Sequence, residues 1–210
     1  DWNKTFRGGD EVYGESIYTS RWEALGVYQL PCREEIKLRL SANGHHQNSV
    51  YGNTVYLADQ SVAFSQLTWR KRLMGNELLA GFTYRMTHFD DNTVATQGIA
   101  GNQPSTIHLP GLFVQNELNI NPQHSLLLGL RYDYNSVHGS ILSPRINYKW
   151  LSENRKHVIR LSAGNGYRVA NVFTEDHAAL TGARTVEFAS ELQPETSWNA
   201  NINLVERIYS

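Results

Sequence analysis

The chain has one cysteine, Cys32, among 210 residues, which excludes a disulfide framework and leaves the redox compartment open. No apolar run approaches the roughly 20 residues of a membrane helix, and no segment shows a convincing 3.6-residue hydrophobic period, so a helical bundle is excluded too. Excess charge of either sign is missing. Nineteen Lys and Arg stand against 20 Asp and Glu, and a net charge of −1 offers no basic face for nucleic acid. The opening DWNKTFRGGDEVYGES has no apolar signal core. Ser and His are scattered, with no nucleophile–base–acid spacing, so neither a catalytic site nor an enzyme is expected.

What the sequence does have is alternation. Ile36, Leu38, Leu40 and Ala42 alternate with Lys37, Arg39, Ser41 and Asn43. Leu78, Ala80, Phe82, Tyr84 and Met86 oppose Gly81, Thr83, Arg85 and Thr87. Leu126, Leu128, Leu130, Tyr132 and Tyr134 oppose Gly129, Arg131 and Asp133. Ile146, Tyr148 and Trp150 oppose Arg145, Asn147 and Lys149, Ile159, Leu161 and Ala163 oppose Arg160, Ser162 and Gly164, and Trp198, Ala200, Ile202 and Leu204 oppose three asparagines. Period two is the signature of strands with one apolar face. Further strands are expected near 20–30, 60–73 and 111–121, the second with unassigned faces. The total is about nine to ten, the tenth if 10–18 also pairs.

The links expected between strands fall into two kinds. Pro31–Glu34, Met74-Gly75-Asn76, Asn121-Pro122-Gln123-His124 and Ser152–Lys156 are short, with a brief His138-Gly139-Ser140 link. Longer polar links are expected at about 44–58, 90–110 and 169–191. In an up-and-down meander alternate links lie at opposite ends, so one end is trimmed and the other elaborated.

An all-β alternating sequence fits a soluble sandwich. Two features point instead to a transmembrane barrel: long charged residues on the polar face, and aromatics (Trp22, Tyr28, Trp69, Tyr132, Tyr134, Tyr148, Trp150) toward strand ends. Composition and periodicity leave the two readings level. Gly164-x-Gly166 lacks the third glycine and the apolar helix of a dinucleotide loop; two glycines in a strand fit a bulge or a close backbone approach. His45 and His46 are adjacent, hence on opposite strand faces, and do not easily chelate one metal, which leaves them a weak metal candidate. Asp90-Asp91-Asn92 offers hard oxygen ligands of the kind Ca²⁺ takes, although a solvated turn accounts for it as well. No resident metal or other cofactor is expected.

Three ordered motifs carry a resemblance. Ser143-Pro144-Arg145-Ile146-Asn147-Tyr148 comes first, then Ile159–Gly166 running on through Tyr167-Arg168-Val169-Ala170-Asn171, then Leu192-Gln193-Pro194-Glu195-Thr196-Ser197-Trp198-Asn199. With Gln115 and Gly129-Leu130-Arg131-Tyr132-Asp133, this set resembles the barrel of TonB-dependent outer-membrane receptors, best from about 111 to 205. Val169-Ala170 departs from the Ala-Pro found in many members, and Glu175 occupies the loop position of the family's Glu. The resemblance implies an all-β antiparallel meander of about 9–10 strands, part of a 22-stranded transmembrane barrel, with residues 1–210 forming a partial barrel domain and the plug absent. It implies TonB-driven uptake of a ferric siderophore or cobalamin across the outer membrane of a Gram-negative bacterium, with TonB engaged through the missing plug. The alternatives are a soluble β-sandwich binding module and a passive porin-like barrel.

From these follow the site expectations. Arg131, Asp133, Arg145 and Arg160 should share the wet, lumen-facing side, with Asp133 compensating several guanidinium groups. Arg168, Glu175 and Arg184 are candidate ligand-binding residues at the extracellular end. Arg168 faces the lumen if no bulge intervenes, and its alternative role is a structural pair with Glu195 across neighbouring strands.

Overall fold

The computed structural model describes residues 3–9, 11–98, 101–168 and 193–208. A one-turn 3₁₀ helix, Lys4–Phe6, precedes the first strand, and among the described residues no helix is long and apolar enough to cross a membrane, which says nothing of spanning by strands. The strands are β1 (Glu15–Gln29), β2 (Glu35–Tyr51), β3 (Thr54–Leu73), β4 (Asn76–Asp91), β5 (Gln97–Gly98), β6 (Gly101–Asn102), β7 (Ser105–Asn121), β8 (His124–Asn135), β9 (Gly139–Leu151), β10 (His157–Arg168) and β11 (Glu195–Glu206). Nine form one antiparallel sheet in the order β1-β2-β3-β4-β7-β8-β9-β10-β11, while β5 and β6 make a separate two-residue ladder. The meander and the strand number follow the alternation; β1 takes in residues 15–18, and among the described residues of 10–18 there is no separate strand.

The register settles the faces. Leu67 stands opposite Phe82, Phe82 opposite Leu112, Leu112 opposite Tyr132 and Tyr132 opposite Leu142. Leu126 stands opposite Tyr148, Tyr148 opposite Leu161 and Leu161 opposite Ile202. These apolar side chains share one face and many are exposed, including Leu112, Leu128, Leu130, Tyr132, Leu142, Ile146, Trp198 and Ile202. A soluble sandwich would cover such a face with a second sheet. On β9 it runs from Leu142 to Trp150, about 27 Å along the strand at about 3.4 Å per residue, or about 21 Å across a membrane at a tilt of about 40°. That is close to the apolar band height of an outer-membrane barrel, about 25 Å. The register also fixes the faces of 60–73, placing Ala63, Ser65, Leu67 and Trp69 on the apolar side.

Two expected loops are corrected. The segment 44–58 is not a loop: β2 and β3 run on as a paired hairpin to Tyr51 and Thr54, closed by Gly52-Asn53. Gly52, at φ +60°, occupies the first central position, where a type II′ turn needs a positive φ. Polar composition misled here because His45, His46, Gln47, Asn48 and Ser49 interrupt the apolar alternation although the backbone stays paired. Its own core is small: Tyr51, Tyr56 and Ala58 are buried, with Phe89 packed against them. The stretch 90–110 shrinks likewise, since β4 extends to Asp91 and β7 begins at Ser105.

The short turns fall where expected except the link at 138–140, which lies two residues earlier at Ser136–His138 because Gly139 and Ser140 already pair with Asn135 and Tyr134. Asn121 Oδ1 accepts from Gln123 N and His124 N at 3.0 and 2.9 Å, closing the turn around Pro122. At the β3–β4 turn the positive φ belongs to Met74 (48°) and Gly75 (84°), not to Asn76. Asn76 instead begins β4, and its side chain accepts from Asn119 N at 3.2 Å.

Candidate functional site

The polar face carries two charge clusters. Near the short-turn end, Glu35 and Glu77 serve three cations. Lys37 Nζ lies 2.9 Å from Glu35, Arg70 bridges Glu35 at 3.7 Å and Glu77 at 3.3 Å, and Arg72 meets Glu77 at 3.4 Å. Beside them, where the apolar face meets the turn, Glu34 accepts from the Trp69 indole at 3.0 Å and from Lys71 at 3.3 Å. Lys71 lies over the Trp69 ring, 5.6 Å from its centroid. An amphipathic ring held by a charged partner is the arrangement expected at a membrane boundary. The indole hydrogen bond first, then Lys71, hold the Glu34 carboxyl below the usual carboxylate range.

The second cluster lies toward the opposite end. Arg131 and Asp133 are two apart on β8 and therefore share a face. Arg131 Nε donates to Asp133 Oδ2 at 2.7 Å and Nη2 to Oδ1 at 2.6 Å, while Nη2 also reaches Thr83 Oγ1 at 2.9 Å. The Asp133 side chain is 1% exposed, so its charge is sustained by this two-pronged contact. Glycine is required opposite it: a Cβ on Gly111 would collide with Asp133 Oδ1 and come within 2.8 Å of Thr83 Oγ1. Around this pair Phe64, Thr83, Arg85, Leu109, Ser143, Gly166 and Tyr167 complete a cavity of about 370 Å³.

The register places all four sequence-expected residues, Arg131, Asp133, Arg145 and Arg160, on this one face but does not bring them together. Arg145 stands between Gly129 and Gly164, and Arg160 between Lys149 and Asn203, to whose Oδ1 it donates at 3.2 Å. The expectation that Asp133 compensates several guanidinium groups is therefore corrected. Its carboxylate is consumed by Arg131, because the stagger of neighbouring strands sets Arg145 and Arg160 in other rows; compensation of several cations occurs instead at Glu35 and Glu77.

Arg168 pairs across the β10–β11 ladder with Glu195, Nη2 to Oε2 at 2.9 Å and Nε at 3.2 Å, both side chains well exposed. Glu175, Arg184, Val169–Asn171 and Leu192 lie outside the described residues. Pairing of β10 with β9 ends at Gly164–Arg145, just before Pro144, which has no N–H to continue the ladder. Beyond that point Asn165 Nδ2 reaches Leu142 O at 3.0 Å, and Tyr167 lines the polar cavity although simple alternation from Ile159 and Leu161 assigns it to the apolar face. The proline was the available sequence signal. Thr83 and Gly111 went unrecognised as site residues because only the register joins them to Asp133 and so to Arg131, and Tyr167 because it reaches the cavity only where the β9–β10 ladder has ended.

The two suspected cation motifs do not converge. His46 Nδ1 lies 2.8 Å from Asp59 on the apolar side of the hairpin, and His45 is turned to the other side, opposite Gln60. Asp91 accepts from Thr93 N at 3.0 Å and Thr96 Oγ1 at 2.8 Å, Asp90 from Asn102 at 3.1 Å, and Asn92 bridges the β3 backbone at Val55 and Leu57. All three side chains brace the 92–104 link. Among the described residues no group of three His, Cys, Asp or Glu is placed to hold a metal ion.

The fold has relatives among solved structures. The siderophore receptor PirA from Pseudomonas aeruginosa superposes with a TM-score of 0.69 at 15% identity, over 92% of this chain and 36% of that one. PirA from Acinetobacter baumannii gives 0.64 at 14% identity, over 92% and 33%. The ferric enterobactin receptor PfeA from Pseudomonas aeruginosa gives 0.58 at 15%, over 76% and 26%. At these identities the likeness is one of fold, and the chain spans about a third of the length of these receptors. No curated protein matches the sequence. The family described as TonB dependent receptor-like, beta-barrel matches residues 2–210, and with the apolar face, the charged opposite face and the meander in agreement, the chain belongs to that family.

Proposed function

We propose that this sheet is part of the wall of an outer-membrane barrel through which a receptor imports a ferric siderophore, energised by TonB acting on a plug segment that these residues do not include. The observation that carries the reading is the division of the nine-stranded sheet into an uncharged apolar band and a charged opposite face, within a chain of this receptor family. The apolar band meets lipid and the charged face lines a wet lumen. The converse would set Arg131, Arg145 and Arg160 in hydrocarbon at about 2–4 kcal/mol each near the midplane. Among the described residues the two outermost strands, β1 and β11, each pair on one side only. Such edges are aggregation-prone unless further strands close them, as a complete barrel does. A siderophore is favoured over cobalamin because the structural neighbours named above are siderophore receptors. The links at the end of the sheet opposite the short turns, together with Arg168, Glu175 and Arg184, are the ligand-facing candidates.

The test is uptake of radiolabelled iron, presented as ferric enterobactin and as ferric hydroxamate chelates, by iron-starved cells expressing the full-length receptor, with and without TonB. Uptake that needs both receptor and TonB supports the reading. Diffusive flux independent of TonB would favour a passive porin, and a full-length protein that stays soluble without detergent would favour a β-sandwich module.

A further inference from the structure

The cavity around Arg131 is over-supplied with positive charge. Among the described residues it holds two guanidinium groups, on Arg85 and Arg131, and one carboxylate, Asp133, which is already gripped at two points. Asp133 and Thr83 engage Nε and Nη2 of Arg131 and leave Nη1 for another acceptor. Arg85 has no hydrogen-bond or ionic partner among the described residues. In the register it stands between Phe64 and Leu109, two apolar neighbours that offer no acceptor. Tyr167 lines the same cavity within electrostatic reach of Asp133, Arg131 and Arg85, and its hydroxyl has no partner among the described residues. The Glu35–Glu77 cluster differs, since there every cation has a carboxylate.

We propose that Arg85, Arg131 and Tyr167 form an oxyanion site that takes a carboxylate or a comparable anionic oxygen group. A planar guanidinium on each side and a phenol match the several lone pairs of such a group. At about 370 Å³ the cavity is within the range of small-ligand sites. Asp133 is the positioning residue: it fixes the Arg131 fork so that its remaining edge is presented rather than folded back. The group can come from an acidic side chain of another segment of the same receptor or from an anionic imported ligand. The proposal rests on the wet-lumen reading above, but not on which nutrient is carried.

Ser143, opposite Arg131 in the register and lining the cavity, supplies the probe position. In the intact receptor carrying Cys32→Ser, Ser143→Cys is treated with methanethiosulfonates of matched size, one anionic and one cationic. Their rate ratio cancels thiol reactivity and reads the local potential. If the site is open to a dissolved ligand, the anionic reagent reacts about twofold or more faster, as one uncompensated charge three strand spacings, roughly 14 Å, from position 143 implies. Arg85→Gln then collapses the ratio and Arg85→Lys preserves it. If an acidic side chain of the receptor occupies the site, both reagents are slow in the parent, and Arg85→Gln together with Tyr167→Phe releases the introduced thiol to both. Membrane assembly of each variant is checked by heat-modifiable mobility. In the assembled receptor, a fast parent whose rate ratio is unchanged by Arg85→Gln, or a slow parent whose rates are unchanged by Arg85→Gln with Tyr167→Phe, overturns the proposal. Iron uptake is measured separately: loss of uptake with the charge preference intact counts against the import reading alone.

Discussion

Replacing Gly111 by alanine would drive a methyl group into the Asp133 carboxylate, and the structure gives the size of the consequence. The new Cβ collides with Oδ1, and it would also lie 2.8 Å from Thr83 Oγ1 and 3.1 Å from Arg131 Nη2. The carboxylate must move, yet its side chain is 1% exposed and cannot exchange Arg131 for water. Breaking a fully buried pair costs about 3–5 kcal/mol. Arg131 is partly exposed, which discounts that figure, and overpacking alone costs about 1–3 kcal/mol. A loss of about 2–3 kcal/mol is expected, read from urea unfolding of the full-length receptor in detergent. The internal control is Gly129→Ala, on the same face of the sheet, where a Cβ meets nothing nearer than Arg145 Cβ at 3.8 Å. Its change should fall within about 0.5 kcal/mol. In an Asp133→Ser background the cost of Gly111→Ala should drop below about 1 kcal/mol, because the atom it strikes is gone. If Gly111→Ala unfolds like the parent, or costs as much without Asp133 as with it, the steric account is wrong.

Orientation in the membrane separates two neighbours on β8: Leu128→Arg should impair outer-membrane assembly, at about 2–4 kcal/mol for a lipid-facing arginine, whereas Gly129→Arg, aimed at the wet face, should assemble. Equal assembly of both would remove the lipid-facing assignment. Met74 holds a positive φ of 48° at the β3–β4 turn, so Met74→Asn should raise stability by about 1 kcal/mol in the same unfolding assay; a loss would show that the methionine makes a compensating contact. The Glu34 carboxyl is held below its usual range, so its charge stabilises the fold above the unfolded value of 4.5 and ceases to do so as pH falls through the lower folded value. The difference in melting temperature between the receptor and Glu34→Gln should therefore be present at neutral pH and vanish in acid. A difference that persists in strong acid would detach it from the carboxylate.

Much of the architecture is written in period two. Leu126 to Tyr134, or Ile159 to Ala163, can only be strands with one apolar side, and turn chemistry at Asn121-Pro122 and Met74-Gly75 joins them as neighbours in a meander. Side-chain alternation is a local property of the extended backbone, so it is readable one strand at a time. The length of the β2–β3 hairpin was not readable, because its polar residues at 43–49 alternate without hydrophobic contrast and look like a loop. Which charges meet was not readable either. Strand stagger is set by pairing along the whole ladder, and it brings Thr83 and Gly111 to Arg131 and Asp133 while carrying Arg145 and Arg160 into other rows; Tyr167 joins them only because the β9–β10 ladder ends at Gly164. The sequence determined the strands and their two faces; only the tertiary register decided that one arginine, Arg85, would face the cavity without a counter-charge among the described residues, since the register alone put Phe64 and Leu109 beside it.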